Sequence, residues 1–213
     1  MNNLVFLEPD SIKAIPHTTS KVISEFSGVS HKYIKKQITR NKNVFKSFGL
    51  LVAHATESTG GRPEEIYQLN EQQATFLMTL LKNTDVVITF KAELVRQFYL
   101  MRAELQKRQI GKLELKPTRR TLTDEIQDNP EHGKWDYKLF TDLAYKMVTG
   151  KIAVTLRKER GAKPKAIAID YMTAEEIAQV EKFTYKIAVL YEMGLDYHPV
   201  SYTHLTLPTK RIV

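Results

Sequence analysis

Val87, Phe90, Leu94, Phe98, Met101 and Leu105 recur at spacings of three and four residues. That spacing puts large apolar side chains on one stripe of an α-helix and is incompatible with the two-residue period of a strand. The stretch predicts the longest helix of the chain, opened by the capping candidates Asn83, Thr84 and Asp85 and reaching about Arg108. Lys91, Glu93, Arg96, Arg102, Glu104 and Lys107 occupy its other side. So long a stripe has to be covered. A second copy of the helix would cover it, making Val87, Phe90, Leu94, Phe98, Met101 and Leu105 a homodimer interface; packing within one protomer is the competing expectation.

The preceding segment supplies the other elements of an N-terminal domain. Asn3 to Leu7 reads as a short strand, stopped by Glu8 and Pro9. Thr18, Thr19 and Ser20 are good N-cap residues for a short helix with Val22, Ile23 and Phe26 on one side. Gly28 can end it in the left-handed conformation, and Ser30 can cap a second helix whose inward residues are Tyr33, Ile34 and Ile38. Two short helices around a glycine turn make the helix-turn-helix pattern. Val44 to Ala55 is rich in strand formers, 58–63 is a loop of turn formers, and Ile66 to Leu69 reads as a returning strand. A hairpin in this place is the layout of a winged helix; an ordinary surface hairpin is the alternative. Asn70 and Gln73 form a capping box for the next helix, which carries Ala74, Phe76, Leu77, Leu80 and Leu81.

Charge is distributed unevenly along the chain. The formal net charge is +8, and between Glu25 and Glu57 there is no acidic residue, while Lys32, Lys35, Lys36, Arg40, Lys42 and Lys46 fall in that interval. A local field of one sign suits a phosphate-facing surface; a solvated basic face is the alternative. The helical geometry assigns Lys32, Lys35 and Lys36 to phosphates or guanine edges and Ser30, His31 and Gln37 to base edges. Arg40, Lys42, Lys46 and the hairpin-tip residue Arg62 are assigned to the DNA backbone.

Residues 111–120, with a glycine, a proline and little periodicity, read as a linker between a 1–110 domain and a helical 121–198 domain. In the second domain Leu122 to Gln127 is a short helix and Trp135 is the expected anchor of a small core. Tyr137, Phe140, Ala144 and Met147 share a helical face, and Val154 to Arg160 is a short basic helix. A capping box at Thr173 and Glu176 opens a last helix through Ile177, Val180, Phe183, Thr184, Ile187 and Tyr191 to Gly194. The stretch 199–213 does not continue this pattern and reads as a non-native tail. The expected fold class is mainly α with a small β-hairpin: a winged helix-turn-helix domain, a long helix and a small all-α C-terminal domain.

Several chemistries find no carrier in the sequence. There is no cysteine for thiolate, disulfide or zinc chemistry, and the six histidines do not pair at helical ligand spacing. No phosphate loop, dinucleotide fingerprint, zinc-protease helix or nucleophile elbow is present. The expectation is a protein that is not an enzyme, with no cofactor and no metal. No apolar run approaches membrane-spanning length and the start lacks a signal pattern, so a cytoplasmic protein with no membrane partner is expected.

The segments TTSKVISEFSGVSHKYIKKQI and, more specifically, YQLNEQQATFLMTLLKNTDVVITFKAELVRQFYLMRAEL resemble the phage regulatory protein Rha family. In the second half LTDEIQ, WDYKLFTDLAYKMVTGK, LRKERGAKP and YMTAEEIAQVEKFTYKIAVLYEMGLDY resemble the C-terminal domain shared by phage regulatory and antirepressor proteins. These resemblances imply a phage or prophage regulator that binds double-stranded DNA, associated with the nucleoid of a bacterial host. The family's helix-turn-helix is variable, so no base-reading position transfers from it. The alternative function is an antirepressor whose C-terminal domain captures a repressor or host protein.

Overall fold

The computed structural model describes residues 3–8, 10–55, 63–195 and 197. The expected hairpin tip with Arg62 and the stretch 199–213 lie outside the described residues. The protein is mainly helical with one small antiparallel sheet. Its contacts divide into two compact units. One is Lys13–Ala103 with the chain up to Glu8; the other is the chain from Glu104 onward with the residues just before Lys13.

The first unit begins with β1 (His17–Thr19), α1 (Ser20–Ser27), α2 (His31–Arg40) and α3 (Lys42–Ser47). It continues with β2 (Val52–Ala55), β3 (Glu65–Asn70) and α4 (Glu71–Leu80). β3 lies between β1 and β2 and is antiparallel to both. Leu69 faces Thr18 on one side, and Tyr67 faces Ala53 on the other. The expected strand at Asn3 to Leu7 is only a bridge between Phe6 and His17, because Leu4 and Val5 go into the core instead of along a sheet edge.

The segment Val44 to Ala55 also departs from expectation. Its first part is helical in α3, and only Val52–Ala55 forms a strand. Tertiary contacts override strand propensity here. Phe45 is fully buried and meets Phe76 edge-on, 5.1 Å between centroids. The buried Gln73 amide donates to the Phe45 carbonyl at 3.0 Å and to the Gly49 carbonyl at 3.3 Å, satisfying the end of α3 from α4. The other end of that amide accepts from the Asn70 N–H in the expected capping box.

Helix α5 (Asp85–Asp128) is far longer than expected. Residues 111–120 lie inside it, so the linker expectation is corrected. Leu115, Leu122 and Ile126 are buried in the second unit's core and hold the segment helical despite Pro117. Gly111 packs where a Cβ would stand 3.1 Å from Ile177, so it marks a close helix approach and not a hinge. Val87, Phe90, Leu94 and Phe98 are at most 5% exposed and complete the first unit's core with Ile23, Ile34, Ile38 and Leu77. Met101 packs at the edge of that core, and Leu105 is buried. From Val87 to Phe98 the stripe is therefore covered within the first unit, as the competing expectation of packing inside one protomer has it.

The second unit holds the end of α5, α6 (Asp136–Thr149), α7 (Ala153–Glu159), a single 3-10 turn (Ala168–Tyr171) and α8 (Ala174–Glu192). Phe140, Leu143, Ile177, Val180 and Ile187 form its core, and the Thr173–Glu176 capping box is present. Trp135, the expected core anchor, is 62% exposed; Phe140 and Tyr191, stacked edge-on at 5.1 Å, take that place. No described helix is long and apolar enough to cross a membrane.

Candidate nucleic-acid interface

The turn between α1 and α2 is built by local chemistry. The Thr19 hydroxyl accepts from the Val22 N–H at 3.2 Å and starts α1. Gly28, at φ 70°, ends it in a conformation that costs other residues a Cβ clash. The Ser24 hydroxyl donates to the Val29 carbonyl at 2.7 Å, and the Ser30 hydroxyl accepts from the Tyr33 N–H at 3.4 Å to start α2. Ile23 on α1 and Ile34 and Ile38 on α2 are fully buried, so the helix pair is clamped from beneath.

This packing fixes which face of α2 is outward. Lys32, Lys36 and Arg40 are exposed and stand four residues apart, so they form one cationic row along the helix. Tyr33, expected inward, is 42% exposed, and Thr39 is exposed as well. Lys42 and Lys46 are exposed on α3, directly after the break at Asn41. Gln37 is half-buried. Ser30 is exposed but serves first as the cap. Lys35 is half-buried and lines a cleft with Pro63, Glu64 and Glu65.

His31 has a different role from the expected base contact. Its Nε2 lies 2.8 Å from the Ser20 hydroxyl, and its Nδ1 lies 2.6 Å from Glu64 Oε1. The Ser20 hydroxyl also accepts from the Tyr67 N–H at 3.0 Å. One assignment uses every group once: Tyr67 N–H to Ser20, Ser20 O–H to Nε2, Nδ1–H to Glu64. Ser20 is fully buried, so its hydroxyl is a structural link. The His31 hydrogen bond holds the Glu64 carboxyl below the usual carboxylate range, and the charges of Lys21 and Lys35 act in the same direction. The chain thus ties the start of α2 to β3 and to the residue just before it.

Ser20, Glu64 and Tyr67 are the site residues that sequence reasoning missed. They lie 11, 33 and 36 positions from His31, and nothing in local spacing links them to it. Glu64 and Glu65 also lie beyond the acid-free interval, so the single-sign field is interrupted near Lys35.

The first unit thus displays a cationic helix, packed on its neighbouring helices, in a small helical domain with one three-stranded sheet. The model of the phage regulatory protein Rha family matches residues 18–103, so the N-terminal region is similar to that family. The match covers the helix pair, the sheet, α4 and the first part of α5, and does not extend to the second unit. No curated protein matches the chain.

Proposed function

We propose that this protein is a phage regulator that acts by binding double-stranded DNA, with α2 in the major groove and the β2–β3 hairpin beside it as a wing. The observation that carries this is the outward row of Lys32, Lys36 and Arg40 on the second of two helices joined by a three-residue turn. Cations one helical turn apart follow a phosphate backbone, while the exposed Tyr33 and Thr39 between them can meet base edges. Lys42 and Lys46 extend the backbone contact, and the His31–Glu64 link holds the hairpin against the start of α2. Two copies reading a palindromic site have to associate through side chains other than the buried α5 stripe.

The test is the salt dependence of binding to a sequence selected from random duplex DNA. Replacing Lys32 and Lys36 together by Ala should weaken binding and reduce the log–log salt slope by roughly one per lost phosphate contact. An unchanged slope would remove these lysines from the interface.

A further inference from the structure

The single tryptophan of the chain stands on the surface of the second unit among lysines. Trp135 precedes α6, and its row along that helix continues with Leu139 and Leu143. The adjacent row is Lys138, Asp142 and Lys146. Lys138 Nζ lies 5.7 Å and Lys134 Nζ 5.8 Å from the centre of the indole ring. Trp135, Leu139 and Ile152 line a cleft of about 300 Å3 whose cationic members are Lys138 and Lys146. No described carboxylate pairs with these lysines. The two nearby acids are engaged as caps: Asp136 accepts from the Gly133 N–H at 2.7 Å and Asp142 from the Ala153 N–H at 3.0 Å.

The indole lies outside the core, which is filled by Phe140, Leu143 and Tyr191, and most of its surface is open to solvent. Its flat apolar face suits a planar partner, and the ammonium groups of Lys138 and Lys146, which exceed the one carboxylate of the cleft, Asp142, suit anionic groups spaced along a chain. Lys138 and Lys146 are about 12 Å apart along the helix axis, so they can follow a strand past the ring. A duplex hides its base faces; a single strand offers them. An acidic peptide would satisfy the lysines and leave the ring faces without a planar partner.

We propose that this face binds single-stranded nucleic acid, one base stacking on Trp135 while Lys138 and Lys146 take the flanking phosphates. The site is separate from the duplex-binding helix pair and does not depend on it. It also carries its own reporter, because all tryptophan fluorescence of the chain comes from Trp135.

The experiment titrates the full chain with oligodeoxythymidine, with oligouridine of the same length and with a duplex. It reads tryptophan emission together with the anisotropy of labelled oligonucleotides. Quenching by at least one single strand and not by the duplex is the expected result, and the stronger of the two single strands says whether DNA or RNA is preferred. Lys138→Glu with Lys146→Glu should weaken the quenching titration roughly ten-fold or more, and Trp135→Ala should weaken oligonucleotide binding by a similar factor with the helical circular-dichroism spectrum kept. Replacing Lys32 and Lys36 by Ala should leave the quenching intact, so loss of duplex binding and loss of this site are told apart. Quenching by neither single strand, equal quenching by duplex, or unchanged titration of the double charge reversal overturns the proposal. A shift in emission with polyglutamate in the absence of any response to oligonucleotides overturns it too, and assigns the face to an acidic protein partner.

Discussion

Single residues decide how the candidate interface is held. His31 is the clearest case: it belongs by position to α2, but its side chain spans from the buried Ser20 to Glu64. Replacing it by Ala leaves the Ser20 hydroxyl without its imidazole partner in a fully buried place. The expected cost is roughly 1–3 kcal/mol, read from urea denaturation of the two proteins. In the second unit the Arg160 guanidinium reaches both oxygens of Glu176, one contact at 2.7 Å. Burial acts to raise the Glu176 carboxyl, but the Arg160 pair and the Thr173 N–H outweigh it and hold the group below its usual 4.5. A carboxyl depressed in the folded state stabilises at pH above the unfolded value, and that stabilisation is lost as pH falls through the folded value. Stability of the parent should therefore fall on acidification below about 4.5. Glu176→Gln should be less stable at neutral pH and show a shallower acid limb. Urea midpoints across that range check it; an identical acid limb in both proteins removes Glu176 from the acid response.

Among the elements, α5 shows where periodicity is informative and where it stops. Spacings of three and four required a helix through Leu105, and the helix is there. The same spacings could not say what covers the stripe, because a partner helix and the protomer's own α1, α2 and α4 present equally apolar surfaces. The structure places Phe98 in the protomer core at 2% exposure. Phe98→Ala should thus cost about 3–5 kcal/mol, as a cavity in a packed core does, and leave the mass measured by light scattering unchanged. Loss of a dimer with little loss of stability would reverse this assignment. The same element misled at 111–120, where Gly111 and Pro117 are ordinary breaking signals. Leu115, Leu122 and Ile126 are buried on the second unit's core, and that burial outweighs a helix penalty of about 3 kcal/mol for Pro117. α3 follows the same logic: Phe45 and the Gln73 amide hold a helix where β-prone residues suggested a strand.

For the whole molecule, sequence alone determined the features set by neighbours along the chain. The α1–Gly28–α2 turn, both capping boxes, the sheet return at β3 and the excess of positive charge are all read from residues a few positions apart, because caps, turns and helical faces are closed by local hydrogen bonds and periodicity. Family resemblance over the N-terminal region came from the same continuous segments. Tertiary structure alone decided what those faces meet. It turned His31 inward and Tyr33 outward, brought Glu64 to a lysine-rich helix, and left Trp135 in solvent. These outcomes depend on contacts across tens of residues, where many apolar and charged faces could pair and only the packing of the complete chain selects among them.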